Sequence, residues 1–266
     1  MQKEGVKAIL VMDFDGVIVD SADEGLLTGF GAYKSFSPKT KLFGGNLNLD
    51  SFKVRINKYR MQYKEYRYYR TFLRTALDYY YILYFIDKKI AIKNSSDFAE
   101  KSKKVPIDKN KFVRKFYSTR NGLMRDDFQE WAKLEPVYHH MKKLISSAQG
   151  SFYISTSNRR STILKTFRHF GIKINPMHVF DNMSGLDKRK HIAKIRKIEN
   201  VNYSDITFVD DQLSHFLNVR NLGVNCVLAG WGYVNSEQIK KARRIGIKIA
   251  NPQNFIGMIG LKVKSY

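Results

Sequence analysis

Short apolar segments alternate with segments of helical length near the start of the chain and throughout its second half. The segments with strand character are residues 8–12, 152–155, 178–180, 206–209 and 226–229. Such alternation is typical of a parallel sheet whose strands are joined by crossover helices. We therefore expect an α/β fold with a doubly wound parallel sheet.

A different pattern fills the region between the first two predicted strands. From residue 46 to residue 105 there is no Gly or Pro, and apolar side chains recur at three- and four-residue steps. This spacing predicts one long helix or two in succession, capped at Asp50 or Ser51. A break at 94–96 precedes a short helix that Pro106 ends. Further helices are expected over 109–118, 127–134 and 136–147.

The two patterns together predict two domains. We expect an α/β core formed by residues 1–23 and 148–266, and an all-helical domain, residues 24–147, inserted just after the first strand.

Polar residues follow four of the predicted strands. Asp13 and Asp15 follow the first strand, "STSN" (155–158) ends the second, "GLDKRK" (185–190) follows the third, and Asp210 and Asp211 end the fourth. The carboxyl ends of parallel strands meet at one edge of the sheet, where α/β proteins bind their ligands. Charge at the end of a buried strand costs free energy unless it is paired, so these ends predict a common site.

At these residues the sequence resembles the haloacid dehalogenase superfamily of aspartate-nucleophile phosphohydrolases. The four motifs of that family stand here as "DFDGV", "FYIST", "DKRKHI" and "FVDD". The resemblance covers residues 6–22 and about 136–235, whereas the helical insertion carries none of the motifs. The first motif, extended to "DFDGVIVDS", is close to the form found in family members with a helical cap after the first strand.

The resemblance implies roles for individual residues. Asp13 accepts the phosphoryl group, and Asp15 protonates the leaving oxygen and later activates water. The hydroxyl of Thr156 and the ammonium of Lys188 neutralise charge on the phosphate, which Gly16 and Ser157 also help to bind. Two alternatives stay open: Ser155 could replace Thr156, and Lys190 could replace Lys188.

Acids grouped near an anionic substrate require a cation, and oxygen ligands suit Mg²⁺. The resemblance implies that Asp13, the main-chain carbonyl of Asp15 and Asp211 hold Mg²⁺, with help from Asp210. His215 stands where many relatives carry another acid. Either His215 turns toward the site or Asp210 replaces the missing acid, with a capping or surface histidine the favoured interpretation.

The formal net charge of +23 favours anionic partners, although a bias toward Lys, Asn, Ile and Tyr codons explains it equally well. In the insertion, a stripe of basic residues lies beside a stripe of tyrosines, and proteins that bind single-stranded nucleic acid combine these two residue types. The basic residues are Lys53, Arg60, Lys64, Arg67 and Arg74. The favoured interpretation is a tyrosine core with a solvated basic face. Nucleic acid is therefore possible as a partner but not favoured over a small phosphorylated substrate.

Other features narrow the class of protein. The apolar stretch 79–86 is far shorter than the roughly 20 residues that a membrane helix needs, and Cys226 is the only cysteine, which excludes an internal disulfide. With no separate apolar signal segment before the first strand, we expect a cytoplasmic protein.

The hypothesis from the sequence is a Mg²⁺-dependent phosphomonoester hydrolase that acts through an aspartyl-phosphate on Asp13. The alternatives are a nucleotide or nucleic-acid end phosphatase, a phosphomutase, and a catalytically idle binding module.

Overall fold

The computed structural model describes residues 8–147 and 152–259 and contains one six-stranded sheet. The strands are β1 (Ile9–Met12), β2 (Phe152–Ser155), β3 (Val179–Phe180), β4 (Ile206–Asp210), β5 (Asn225–Ala229) and β6 (Lys248–Ala250). All neighbouring strands are parallel, in the order β3-β2-β1-β4-β5-β6. The predicted α/β fold with a parallel sheet is confirmed, and β6 is a strand that the sequence did not predict.

Contacts divide the described chain into two units. The sheet unit comprises the described residues up to Asp20 and from Pro136 onward, and the helical unit comprises Ser21–Glu135. The second boundary lies earlier than the predicted residue 147. The reason is that Met141, Leu144 and Ile145 are buried in the core of the sheet unit.

Seven helices of the helical unit precede six of the sheet unit in the described chain. The first group is α1 (Ala22–Phe36), α2 (Phe52–Lys58), α3 (Arg60–Tyr69), α4 (Asp78–Asp87), α5 (Ser95–Lys103), α6 (Lys109–Asp126) and α7 (Phe128–Ala132). The second is α8 (His139–Ser147), α9 (Arg160–His169), α10 (Lys188–Glu199), α11 (Leu213–Val219), α12 (Ser236–Arg244) and α13 (Phe255–Met258). No helix in the described ranges is both long and apolar enough to cross a membrane.

Side chains of β1 alternate between two apolar cores, as the two-residue period of a strand requires. Leu10 and Met12 pack in a core with residues of α8, α9 and α13. Ile9 and Val11 pack in a core with residues of α10, α11 and α12. Helices therefore cover both faces of the sheet, which is the doubly wound arrangement that the sequence predicts.

The helical unit differs from the one long helix, or two in succession, predicted before the break at 94–96. Three helices, α2, α3 and α4, occupy that range, and the chain is extended at Leu73, between α3 and α4. The short helix predicted after the break is α5. The Asp78 carboxylate accepts hydrogen bonds from the main-chain N–H of Arg74 (2.8 Å) and Thr75 (2.7 Å), which stabilises the turn before α4. The proposed basic stripe is therefore split, because Lys53 lies on α2 and Arg74 lies outside any helix.

A buried carboxylate joins three helices of the helical unit. Glu24 on α1 accepts hydrogen bonds from the Thr28 hydroxyl (2.8 Å), Arg120 Nε on α6 (3.0 Å) and Trp131 Nε1 on α7 (3.3 Å). A buried charge is tolerated only with such partners, so these contacts tie α1, α6 and α7 together.

Candidate active site

The register of the sheet brings the ends of three strands to one level. Met12 of β1 pairs with Ile154 of β2 on one side and with Val209 of β4 on the other. Asp13 follows immediately, and its main-chain N–H donates to Val209 O at 2.9 Å. The polar residues that end β1, β2 and β4 therefore meet at the carboxyl edge, as predicted from the fold class.

Lys188 places a buried ammonium group at the carboxyl edge of the sheet. It is the first residue of α10, and its side chain is only 7% exposed. The ammonium donates to Asp13 Oδ1 at 3.0 Å and to the main-chain oxygen of Ser155, and lies 3.8 Å from Asp210 Oδ2. One lysine thus lies close to the residue that follows β1 and to residues of β2 and β4. Lys190, in contrast, is exposed.

Asp13 is buried among charges of both signs. Burial raises the pKa of its carboxyl to about 6, opposed by Lys188 and assisted by Asp210 and Asp15. The carboxylate is held in place because Oδ1 accepts from the Phe14 N–H at 2.8 Å. Additional positive charge near Asp13 would favour the ionised form that a nucleophile needs.

Asp210 and His215 form a second charged pair beside Lys188. His215 Nδ1 lies 2.8 Å from Asp210 Oδ2, and the Gln212 N–H donates to Oδ1 at 2.8 Å. Burial alone would raise the pKa of Asp210, but His215 and Lys188 hold it below its usual value. Burial acts to lower the pKa of His215, and Asp210 overcomes this and raises it.

Three side chains of this edge could share a metal ion. One ligand atom each from Asp13, Asp210 and His215 lies within 4.8 Å of the others, and this is the set found among the described residues. The sequence favoured a capping or surface histidine at position 215. The structure differs, because His215 turns toward the site and its Nδ1 lies 2.8 Å from Asp210 Oδ2.

Asp211 lies outside the group formed by Asp13, Asp210 and His215. Its carboxylate is buried, and Oδ2 accepts a hydrogen bond from the Tyr233 N–H at 2.8 Å. Two glycines surround it: a Cβ at Gly16 would lie 2.1 Å from Asp211 Oδ2, and one at Gly232 would lie 2.5 Å from Asp211 Cβ. The turn after β1 and the turn after β5 are thus packed around this side chain.

Asp15 is half-buried, two residues beyond Asp13. Its charge contributes to the raised pKa of Asp13, so the two carboxyls lie close enough to interact. Phe14, between them, is fully buried and packs in the core with Met12. The alternation of side chains therefore keeps both acids on the polar side of the turn.

The three hydroxyl residues after β2 have different environments. Thr156 is buried, and its Oγ1 accepts from the Asn158 N–H at 3.1 Å in the turn that leads to α9. Ser155 is buried with its Oγ 2.8 Å from His191 Nδ1, and Ser157 is exposed. The Ser155 hydroxyl is therefore engaged with α10, while its carbonyl contacts Lys188.

Comparison with known proteins identifies the fold. No family model and no curated protein matches the chain. Among solved structures, a haloacid dehalogenase-like hydrolase from Streptococcus pneumoniae is 12% identical, with a TM-score of 0.57 over 94% of this chain and 97% of that one. The fold is that of the haloacid dehalogenase-like hydrolases.

Two further structures with this fold match over nearly their whole length. A hydrolase from Pseudomonas syringae is 11% identical, with a TM-score of 0.55 over 96% of this chain and 98% of that one. A predicted phosphoglycolate phosphatase from Haemophilus somnus is also 11% identical, with a TM-score of 0.57 over 95% and 97% of the two chains. The similarity thus extends through both the sheet and the helical parts of the haloacid dehalogenase-like fold.

Two residues at this edge of the haloacid dehalogenase-like fold were not predicted from the sequence. Tyr233 supports Asp211 through its N–H, and its hydroxyl donates to Asp20 at 2.9 Å. His191 contacts Ser155. The sequence held a signal for Tyr233, because "GWGY" follows a predicted strand at the same edge. It held none for His191, whose partner lies 36 positions away.

Proposed function

We propose that the protein is a Mg²⁺-dependent phosphomonoester hydrolase in which Asp13 carries the phosphoryl group between two half-reactions. The observation that carries this proposal is the contact of 3.0 Å between Lys188 Nζ and Asp13 Oδ1 at the carboxyl edge of the sheet. A buried carboxylate beside a buried ammonium pairs a nucleophile with a group that stabilises phosphate charge.

The donor set fits a divalent cation. Asp13 and Asp210 supply carboxylate oxygens, the ligand type that Mg²⁺ prefers, and lie with His215 within 4.8 Å. The family resemblance adds the main-chain oxygen of Asp15 and the carboxylate of Asp211 as ligands. Bound there, Mg²⁺ would neutralise charge on the phosphate oxygens and favour the ionised form of Asp13.

In the first half-reaction an Asp13 carboxylate oxygen attacks phosphorus and the bond to the ester oxygen breaks. Asp15 donates its proton to that oxygen, and the alcohol leaves. Lys188 contributes its positive charge to the phosphate oxygens as negative charge builds on them.

In the second half-reaction Asp15 takes a proton from water, and the resulting oxygen attacks the phosphoryl group on Asp13. The bond between Asp13 and phosphorus breaks, inorganic phosphate leaves, and Asp15 is protonated again. The net reaction converts one phosphate monoester and one water into an alcohol and phosphate.

We propose a small phosphorylated molecule as substrate. Supporting this choice, the matched structures include a predicted phosphoglycolate phosphatase. The division of the proposed basic stripe also favours a small substrate over nucleic acid, because Lys53 lies on α2, Arg74 lies outside any helix, and only three basic residues remain together on α3.

The test is release of inorganic phosphate from sugar phosphates, nucleotides and phosphorylated oligonucleotides, with and without Mg²⁺. We expect Mg²⁺-dependent turnover that Asp13→Asn abolishes without loss of circular dichroism. Asp50→Asn makes the same change at an exposed aspartate and should keep full activity. Turnover by Asp13→Asn at the wild-type rate would overturn the proposal, whereas turnover on oligonucleotides alone would reassign the substrate class.

A further inference from the structure

A buried polar pair lies next to the proposed catalytic lysine without belonging to the proposed chemistry. Ser155 Oγ and His191 Nδ1 are joined by a hydrogen bond of 2.8 Å, and the two residues are 0% and 2% exposed. One side of the pair is apolar, because the His191 ring packs on Phe180 with ring centroids 5.4 Å apart. Burying polar side chains costs free energy unless they are hydrogen-bonded, so the position of this pair calls for a role.

The pair connects the end of β2 to the first turn of α10. Ser155 is the last residue of β2, and His191 lies three residues after Lys188 on α10. Residues three apart on a helix share one face, so Lys188 and His191 both approach β2. Ser155 is hydrogen-bonded to both residues. Its hydroxyl bonds to His191, and its main-chain oxygen accepts a hydrogen bond from Lys188.

The two contacts act on one segment of helix. The Lys188 side chain is long and flexible, and holding its ammonium at Asp13 costs conformational entropy. The contact between His191 and Ser155 fixes the backbone from which that side chain extends. With the backbone fixed, fewer side-chain conformations are open to Lys188, and its ammonium stays close to Asp13 Oδ1 and the Ser155 carbonyl.

The charge state of His191 suits this arrangement. Burial lowers the pKa of His191, and the nearby Lys188 lowers it further, against the main chain of Ser184 and Gly185, which acts to raise it. The ring is therefore neutral at neutral pH. A neutral ring can bond to Ser155 without placing a second positive charge beside the lysine.

We propose that His191 is a positioning residue: its hydrogen bond to Ser155 holds the start of α10 against β2 and thereby places the Lys188 ammonium on Asp13. The catalytic consequence rests on the proposed function, but the placement of the ammonium does not. The two claims can therefore be tested separately.

The first measurement observes Lys188 directly. Protein labelled with ¹⁵N at the lysine Nζ atoms is examined by NMR for a slowly exchanging ammonium signal, assigned through Lys188→Arg. Buried, hydrogen-bonded hydrogens exchange slowly with water, whereas those of exposed lysines exchange fast. We expect the signal in the wild type, its loss in His191→Phe, and its return in His191→Asn, whose amide can again bond to Ser155.

A matched control exists at the other end of the same strand. His178 Nδ1 lies 3.2 Å from the main-chain oxygen of Phe152 on β2, and its ring stacks on Tyr153 at 4.3 Å. His178→Phe thus removes a comparable histidine contact to β2 without touching Lys188. It should leave the lysine signal unchanged.

The second measurement is kinetic. With p-nitrophenyl phosphate and Mg²⁺, we expect His191→Phe to lower kcat about 10- to 100-fold, with a smaller change in KM, because a small displacement of a charge-stabilising group affects the transition state most. His191→Asn should recover most of the loss.

The outcomes separate the claims. Retention of the lysine signal in His191→Phe overturns the proposal, even where the melting temperature falls, because the residue is then only structural. Absence of the signal from the wild type also overturns it. Loss of the signal in His191→Phe, in a wild type that hydrolyses no phosphate ester, supports the positioning role and removes the proposed function. Ser155→Ala breaks the same bond from the other side and decides the question where His191→Phe does not fold.

Discussion

Gly16 and Asp211 are packed so closely that no side chain fits between them. A Cβ atom at Gly16 would lie 2.1 Å from Asp211 Oδ2, and φ at Gly16 is +78°, in the region that favours glycine. Asp211 cannot move aside easily, since it is 1% exposed and Oδ2 accepts from the Tyr233 N–H. The glycine of "DFDGV" is therefore required by its backbone conformation and by its neighbour.

This packing predicts a large effect of Gly16→Ala on stability. Gly171 has a similar φ of +69° but open space around it, so Gly171→Ala isolates the conformational cost. We expect Gly171→Ala to lower the free energy of unfolding by about 1–2 kcal/mol, and Gly16→Ala by clearly more. Urea denaturation of the three proteins measures both. Equal losses would mean that Asp211 yields to the added methyl group.

The burial of Lys188 predicts that it, and not Lys190, supports turnover. Lys188→Met removes the ammonium from Asp13 and should lower kcat about 100- to 1000-fold, the usual cost of losing one charge-stabilising donor. Lys190 is exposed two residues further along α10, so Lys190→Met should retain wild-type kcat. Steady-state kinetics of both variants with one substrate make the comparison. Similar kcat values would move the phosphate-binding cation to another residue.

Cys226 is predicted to react slowly with thiol reagents. Burial raises the pKa of its thiol to about 11, against a small opposing effect of Arg220. Because the thiolate is the reactive form, only a small fraction of the native protein is reactive near neutral pH. Colour release from a disulfide reagent should be slow in native protein and fast in urea, and Cys226 is the only cysteine to contribute. Equal rates in the two conditions would contradict the raised pKa of this half-buried thiol.

The lowered pKa of His140 predicts that the free energy of unfolding decreases in mild acid. Burial lowers its pKa from 6.5, with a further contribution from His139, and its ring lies 4.5 Å from that of Trp231. As pH falls below 6.5, the unfolded chain binds a proton at this position before the folded chain does. The contribution of His140 to stability is thus complete above that pH and declines as pH falls through the folded-state pKa.

The matching experiment compares wild type with His140→Gln by denaturant titration between roughly pH 5 and pH 8. The stability of the wild type should fall more steeply toward the acid end than that of the variant. His139→Gln removes only the smaller contribution to the lowered pKa of His140, and since His139 is exposed this variant should change the pH profile less than His140→Gln does. Parallel pH profiles for wild type and His140→Gln would exclude this histidine as a source of acid sensitivity.

The sheet was largely predictable because its signals are local. Apolar runs such as that of β1, each ended by polar residues, mark both the strand and the site at its carboxyl end. β6 had no such signal: it is three residues long, Lys248 within it is exposed, and only Ala250 is buried. Its strand character comes from pairing with β5.

The helical unit was less predictable because its breaks come from side chains rather than from Gly or Pro. Asp78 captures the main-chain N–H groups of Arg74 and Thr75 and so separates α3 from α4. A similar capture at Asn94, whose side chain accepts from the Asp97 N–H at 2.9 Å, was anticipated as a break at 94–96. The difference is that Asn94 opens a short polar run, residues 94–96, whereas Asp78 is a single polar residue directly before the apolar stretch 79–86.

The meeting of Asp13, Lys188 and Asp210 at one edge of the sheet was predictable from the sequence, but the hydrogen bonds between side chains there were not. Sequence placed Asp13, Lys188 and Asp210 at strand ends, but the contact of His215 with Asp210 and of His191 with Ser155 depends on how α10 and α11 dock on the sheet. Such contacts between distant positions have no local pattern.

The most direct test of the central claim is detection of the phosphoryl group on Asp13. Enzyme mixed with p-nitrophenyl phosphate and Mg²⁺ is quenched in acid during turnover, digested and analysed by mass spectrometry. We predict that the peptide containing Asp13 gains the mass of one phosphoryl group, and that Asp13→Asn does not. Steady turnover by the wild type with no phosphorylated peptide, or with the group on another residue, would contradict the role assigned to Asp13.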